Sequence, residues 1–600
     1  MGPTTPLVLL AATIPHTFAA SAHVSLATQH ASAENWRICR YTAYTWAAIV
    51  AALMLYRWTL YLLRHVRTLA NLSQGTSSDG RQRYFSIPDE KFAKIKRHLI
   101  VAPLLSRRHN REIKLSAAMN VGTVPARMQT CFLVGYFVMQ IAFCTITINW
   151  RGKQFYDGAM DRMGTLAVLN MIPLFLLAGR NNPLIWLCGI SFDTYNLIHR
   201  WLGRIVVFEA IAHVAFWMAG KIAVMGSEKG WHMIHVAIWS SRMMLTGTVG
   251  VLAVIFILFQ SPSIIRHAFY EIFLGLHQIL AIITTATVWI HLKGMPHQRL
   301  LAGAIACWAV ERAWRFWSLA TRNVGHGVTK AEVEALPGDA VRVTLRLARP
   351  WQFKPGQHVY MYMPSVGLWT SHPFSLAWSE EQTDLPTEKG LPMVRQDMFA
   401  SRTRTMSLII RRRTGFTDQM FKKAEVAPGG RFVTTAFIEG PYGSQSFHSY
   451  GTVMLFAAGI GITHQVPHVR DLVQAYANGT CATRKIVLVW IIQSPEHLEW
   501  IRPWMTQILG MDKRRDILKI LLFVTRPRST KEIHSPSSSV QMFPGKPDVA
   551  ALIEKEQMAQ VGAMSVSVCG TGSLADDVRK AVRDRCERTE IDFTEEAFSW

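Results

Sequence analysis

Seven apolar runs fill residues 42–63, 128–149, 163–179, 200–222, 243–262, 269–292 and 300–318. A helix crosses a bilayer with about 17–25 predominantly apolar residues. Against lipid, a helix is the single segment that satisfies all its own backbone hydrogen bonds. The runs therefore predict a seven-span helical membrane domain over 42–318. After Arg322 an ordinary charged composition returns. Half of the 600 residues are hydrophobic and 17% are charged, too apolar a balance for a chain wholly in water. A soluble part is expected to follow the membrane part.

The net charge of +24 raises the question of nucleic acid. The cations, however, flank the apolar runs. Between Arg64 and Arg127 there are 13 Lys and Arg against 4 Asp and Glu. That is the signature of a solvated loop on the cytoplasmic side. Alternation then places 180–199, 263–268 and everything after 318 inside, and the N-terminal segment 1–41 outside. Within that segment "PLVLLAATI" (6–14) has the form of a signal-peptide core, and "ASA" (20–22) could end one, but no positive region precedes it. Both outcomes leave the N-terminus outside. The eight cysteines form no CxxC pair and suggest neither a disulfide framework nor a zinc site.

Four histidines stand out. "LIHRWLGRIVVFEAIAHV" (197–214) carries His199 and His213, and "FYEIFLGLHQILAIITTATVWIHL" (269–292) carries His277 and His291. Both pairs are 14 residues apart. At about 100° per residue, that step falls about 40° short of four turns, so each pair shares one helix face about 21 Å apart along the axis. Polar groups in an apolar setting are costly unless paired. Both spans run inside to outside, so His199 meets His277 in an inner layer and His213 meets His291 in an outer one. Each layer is expected to clamp one haem iron through neutral imidazoles. Arg200 and Arg204 read either as topology charges or as partners for haem propionates. Glu209 reads as an interhelical hydrogen-bond partner.

From about 328 to 445, short alternating runs such as "VRVTLRLA" and "MSLIIRRR" predict an antiparallel β-barrel or sandwich over 319–445. From about 451, apolar strands alternate with helical stretches, predicting a parallel α/β domain over 446–600. "VMLFAAGIGIT" (453–463) and "VCGTGSLADDVR" (568–579) are both strand, glycine turn, helix. Such turns let backbone approach a pyrophosphate at a helix N-terminus.

The order of these motifs resembles the fungal ferric reductases, in the flavocytochrome b superfamily shared with NADPH oxidases. "HRWLGR" with His213, the His277/His291 pair, "HPFS", "GPYG", "GIGIT", "CG" at 569–570 and the tail "DFTEEAFSW" carry the resemblance over about residues 160–600. It implies a multi-domain chain: a di-haem membrane domain, then a ferredoxin-reductase-like unit of FAD barrel plus nucleotide-binding α/β domain. It implies flavin contacts from His372, Pro373, Phe374, Ser375, Gly415 and Thr417, and phosphate contacts from Gly459, Gly461 and Thr463. Cys569 and Gly570 would lie near nicotinamide, and Phe598 or Trp600 would cover the flavin. "GKPDV" (545–549) resembles the family's Gly-Arg/Lys-Pro segment. Three positions depart from the pattern: Ala458 in the turn, His464 where proline often follows, and Gln493 where an arginine suited to a 2′-phosphate is common. Arg526 is the candidate substitute, and NADPH over NADH hinges on it.

The activity implied is transfer of electrons from cytosolic NADPH through FAD and two haems b to Fe(III) chelates outside, with Cu(II) as a further acceptor. The implied setting is the plasma membrane or the vacuolar membrane, coupled to an iron permease and oxidase. No nucleic acid partner is expected. Two rival readings remain: a superoxide-generating oxidase, and a non-enzymatic seven-span receptor or transporter. Acceptor assays separate the first, and haem and flavin spectra the second.

Overall fold

A computed structural model describes residues 26–72, 81–105, 109–114, 116, 120–148, 155–325, 327–367, 370–384, 401–527, 535 and 537–596. The signal-like stretch at 6–14 and the terminal Phe598 and Trp600 lie outside the described residues. Contacts divide the chain into two units, one of 1–60, 115–120 and 129–314, the other of 61–114, 121–128 and 315–600.

The first unit is helical. Its longer helices, lying wholly or mostly within those bounds, are α1 (Leu26–Leu72), α2 (Arg127–Thr145), α3 (Phe155–Ala178), α4 (Phe192–Met225), α5 (Ser227–Ser240), α6 (Arg242–Gln260), α7 (Tyr270–His291) and α8 (Gln298–Asn323). Among the described residues six of these, α1 to α4, α6 and α7, are long and apolar enough to cross a membrane. The expected count of seven is thus reduced by one. The run at 300–318 does form a helix, but Glu311, Arg312 and Arg315 crowd charge into little more than one turn of α8. The first span is also longer than the run 42–63 that announced it, because α1 continues for 47 residues.

Two features set the register of α3 against α4. Val168, Met171 and Val206 are buried together in an apolar cluster. Deeper, Asn170 Nδ2 donates to both carboxylate oxygens of Glu209 at 3.0 Å. Tyr136 Oη donates to Asn170 Oδ1 at 3.0 Å, and Gln140 Nε2 lies at 3.3 Å from the same oxygen. This network joins α2, α3 and α4 and gives Glu209 its account.

In the second unit, eight strands between residues 330 and 442 precede the parallel sheet: β1 (Lys330–Leu336), β2 (Ala340–Arg346), β3 (His358–Tyr362), β4 (Ser371–Ser375), β5 (Trp378–Asp384), β6 (Ser401–Arg411), β7 (Arg431–Thr435) and β8 (Phe437–Tyr442). They form antiparallel sheets in the orders β5-β6-β2-β1-β7 and β8-β3-β4. No strand pairing among the described residues joins the two into a closed barrel. Helix α9 (Phe416–Val426) follows β6 and buries Phe416, Met420 and Phe421 in their core.

The parallel sheet has six strands: β9 (Thr452–Ala458), β10 (Lys485–Ile492), β11 (Leu518–Val524), β12 (Val540–Pro544), β13 (Met564–Cys569) and β14 (Ile591–Glu596). Their order is β12-β11-β10-β9-β13-β14. The near-continuous apolar composition of "VMLFAA" and "IVLVWII" follows from burial on both faces. Helices α10 (Ile462–Ala477), α11 (Val549–Met558) and α12 (Gly572–Arg583) connect the strands. Strand order reverses between β9 and β13, so the ligand crevice of such a sheet belongs at their carboxyl ends.

The basic segment after α1 is not the solvated loop its charge suggested. Lys96 is 4% exposed and pairs with Glu590 at 2.7 Å and Asp592 at 2.8 Å. Burial pulls the ammonium's pKa down, but Asp592 and Glu590 outweigh it and hold the group above its ordinary value. Gln82 Nε2 donates to Ala482 O at 2.9 Å, and Arg579 Nη1 to Val101 O at 3.2 Å. Lys96 and Arg97 are partnered by carboxylates some 490 positions on, which no local pattern reveals.

Candidate functional site

The four histidines meet in two pairs. The rings of His199 on α4 and His277 on α7 have centroids 6.3 Å apart, as do His213 and His291 on the same two helices. Two imidazoles bound to one metal from opposite sides, with bonds of about 2.0 Å, have centroids separated by about 6 Å. His213 Nδ1 lies 2.8 Å from Met160 O, His291 Nδ1 2.8 Å from Met243 O, and His199 Nδ1 2.9 Å from Leu174 O. A carbonyl accepts, so each Nδ1 carries the proton and each Nε2 keeps its lone pair. That is the second-sphere arrangement of a metal-binding histidine. His277 Nδ1 is buried with no partner among the described residues.

Two glycines that sequence reasoning missed make room for the outer pair. A Cβ at Gly164 would sit 2.7 Å from His213 Nδ1, and one at Gly247 would sit 2.6 Å from His291 Nδ1. Each glycine lies four residues after the carbonyl its histidine binds, Met160 and Met243. The ring lies against the bare helix backbone and reaches the carbonyl one turn earlier. A glycine inside a helix is the weak signal that was available. Among the described residues no cluster of three or more His, Cys, Asp or Glu is arranged for a bare metal ion. A haem supplies the remaining ligand nitrogens itself, so paired histidines suit it.

In the second unit, β4 carries His372, Pro373, Phe374 and Ser375, paired with Met361, Tyr360, Val359 and His358 of β3. His372 stacks on Phe416 at 4.6 Å. Phe416 opens α9, just after Gly415, whose φ of +68° favours glycine. Thr417 Oγ1 accepts from the Arg413 N–H at 3.0 Å and closes this turn. Thus the two segments expected to line a flavin, separate in sequence, are brought together through one aromatic contact. Arg411 and Arg413 are exposed beside Gly415, leaving cations and an exposed turn suited to a pyrophosphate.

The two glycine turns meet at the switch point. Ala457 of β9 pairs with Cys569 of β13. A Cβ at Gly461 would lie 2.1 Å from Cys569 O, and one at Gly570 would lie 2.7 Å from Ala458 Cβ. Both positions demand glycine because the two backbones touch. Thr463 Oγ1 turns back to Ile460 O at 2.9 Å, and Trp490 Nε1 donates to Gly459 O at 3.0 Å. Cys569 is 3% exposed, and burial raises its thiol pKa, as do Glu596 and Glu595. It is therefore no thiolate nucleophile. Gln493 and Arg526 adjoin at the ends of β10 and β11, where Arg526 N donates to Gln493 O at 3.1 Å. His464 and His468 are buried in α10, and neither Nε2 has a partner among the described residues.

With this geometry in place, similarity to known proteins decides the family. Residues 163–288 match the description "Ferric reductase like transmembrane component", 326–387 match "FAD-binding domain", and 450–583 match "Ferric reductase NAD binding domain". The chain belongs to the fungal ferric/cupric reductase transmembrane-component family. It is 25% identical to ferric/cupric reductase transmembrane component 2 of Saccharomyces cerevisiae, over 80% of this chain and 68% of that one. It is 25% identical to a probable ferric reductase transmembrane component of Candida albicans, over 80% and 72% respectively. It is 31% identical to the probable cell surface ferric reductase kap2 of Aspergillus oryzae, over 57% and 44%. The chain is accordingly an oxidoreductase of this family, with a membrane part and FAD- and NAD-binding domains.

Proposed function

We propose that this protein passes electrons from cytosolic NADPH through FAD and two haems b to Fe(III) chelates on the other side of the membrane, with Cu(II) as a second acceptor. The N-terminus would lie outside, and the FAD and nucleotide domains in the cytosol, most simply at the plasma membrane. The observation that carries the reading is the pair of histidine layers on α4 and α7, each with centroids 6.3 Å apart.

When bound, FAD converts the two-electron chemistry of a nicotinamide into single electrons, and a haem iron carries one at a time. The chain's own work is placement. His199 and His277 would hold the haem nearer the cytosol, and His213 and His291 the outer one. Leu174, Met160 and Met243 fix three of these rings through their carbonyls. His372, Pro373, Phe374 and Ser375 of β4, with Gly415 and Thr417, would line the flavin site. Gly459, Gly461 and Thr463 would offer backbone to the coenzyme's pyrophosphate, and Cys569 with Gly570 would floor the nicotinamide. Arg526 would meet the 2′-phosphate that Gln493 cannot pair. None of these side chains needs to act as nucleophile or general base.

The test is to offer Fe(III) chelate, Cu(II) and O₂ separately to membranes that contain the protein, with NADPH supplied on the cytosolic face. Ferric and cupric reduction is expected. Superoxide release without chelate reduction would replace this reading by an oxidase.

A further inference from the structure

Asp576 lies in the second turn of α12, the helix that follows the Cys569–Gly572 turn. It is 7% exposed. Its carboxylate accepts three successive backbone N–H groups from the segment before α2. Oδ1 takes His109 at 3.1 Å and Asn110 at 2.9 Å, and Oδ2 takes Arg111 at 3.1 Å. No Lys or Arg forms an ion pair with this carboxylate among the described residues.

The same tripeptide presses on the turn itself. A Cβ at Gly572 would lie 2.2 Å from Asn110 O and 2.6 Å from Asn110 C. Asn110 therefore lies against backbone that begins two residues after Gly570. The segment is anchored on its far side too. His109 O accepts from Val124 N at 3.2 Å, while His109 Nδ1 donates to Val124 O at 2.7 Å. Burial, and then Arg579, lower the His109 pKa to about 4, so this ring stays neutral and the bridge is insensitive to ordinary pH. One step along α12, Arg579 holds Val101 O and ion-pairs with Glu595.

We infer that the segment 109–111 is the back wall of the nicotinamide turn, and that Asp576 is the positioning residue that fixes the turn against the flavin. This rests on the proposed NADPH-to-FAD reading. In that reading Gly570 and Cys569 meet nicotinamide, and a misplacement of about 1 Å between reacting groups can cost about 100-fold in rate. Thr571 caps α12 through Leu574 N at 3.5 Å, a weak bond that cannot hold the turn alone. The outer support comes from another part of the chain, more than 460 positions away.

The experiment is rapid-mixing reduction of the bound flavin by NADPH in the detergent-solubilised full chain, with rate expressed per bound FAD. Wild type is compared with Asp576→Asn and with Asn110→Pro. The first replaces one acceptor oxygen by an amide donor. The second removes one N–H and leaves α12 unaltered. Both should slow flavin reduction by tenfold or more and weaken the long-wavelength charge-transfer absorbance of nicotinamide over flavin. Bound FAD and reduction of the flavin by dithionite should stay as in wild type. A wild-type rate per flavin in either folded variant overturns the inference, as does a fall that only tracks lost FAD. If Asp576→Asn does not fold, Asn110→Pro decides by the same rate. Failure of wild type to reduce its flavin with NADPH would instead sink the parent reading.

Discussion

Replacing Gly164 and Gly247 together by alanine should empty the outer histidine layer and leave the inner one. The new Cβ atoms would stand 2.7 Å from His213 Nδ1 and 2.6 Å from His291 Nδ1. To regain the 3.4 Å at which ordinary contact begins, the rings must retreat by about 0.7 Å and about 0.8 Å. A retreat of that size takes the bonds of 2.8 Å to Met160 O and Met243 O to about 3.5 Å, where little hydrogen bonding remains. Each lost bond is worth about 1 kcal/mol. Loss of such second-sphere bonds lowers metal affinity by about 10–100-fold per ligand. The inner layer has no counterpart, since His199 bonds to Leu174 O and no described glycine crowds His199 or His277. Haem per chain, measured by the reduced-minus-oxidised spectrum, should fall from about two toward one. His277→Ala is the complementary control and should remove the inner haem while FAD remains. A double-alanine protein with two haems and an unchanged spectrum would refute the reasoning. A wild type without haem would remove its premise.

Three further outcomes are expected. Gly461→Ala drives a Cβ to 2.1 Å from the carbonyl of Cys569, and backbone cannot yield as a side chain does. It should cost at least about 1–3 kcal/mol of stability and abolish tight NADPH binding, and unchanged melting and affinity would contradict the contact. Arg526→Ala should raise the KM for NADPH about tenfold or more and leave that for NADH nearly unchanged, so an equal effect on both coenzymes would exclude a 2′-phosphate contact. The third outcome concerns acid. Burial, and then His358, keep His464 neutral to about pH 4 in the fold, whereas its ordinary value is 6.5. The unfolded chain therefore binds that proton first, and stability, complete above 6.5, falls toward pH 4 by about 3 kcal/mol from this group. His464→Leu should flatten the decline of melting temperature between pH 6.5 and 5, and an unaltered slope would show that the group does not titrate as described.

What could be read from the sequence was what local geometry determines. The 14-residue step places two histidines on one helix face whatever surrounds the helix, because 3.6 residues per turn is a property of the backbone. The parallel sheet was legible for a similar reason: burial on both faces leaves an apolar run bounded by glycine turns. Properties created by a distant partner were not legible. Gly164 matters only because His213 of another helix arrives above it, and nothing in "DRMGTL" records that arrival. Lys96 looked like one more cation in a loop of 13, and its carboxylates stand in β14 and the residue before it. The seventh run differs from the other six in its charge. The apolar stretch of α8 is long enough, but the charges at 311, 312 and 315 remove it from the set that composition alone assigns to a bilayer.

The histidine-bearing helices are registered by different devices. α4 is fixed by polarity, through Glu209 and the Asn170 amide that bridges both its carboxylate oxygens. Removing that carboxylate would leave the Asn170 amide with Gln140 Oε1, at 3.3 Å, as its one remaining acceptor and a buried N–H unpaired, so the network resists rotation of α4 against α3. Because His199 and His213 ride on one rigid helix, one lock orients both. α7 is fixed by close approach, with Gly247 under His291 and Gly250 within 3.1 Å, at its would-be Cβ, of Thr287 and Val288. Small residues let helix backbones come together where water exclusion gives no preference between helices and lipid. Packing of this kind yields gradually, whereas a hydrogen-bond network fails at once. Enlarging Gly250 should therefore loosen the α7 histidines by degrees, while Glu209→Ala should disturb His199 and His213 together.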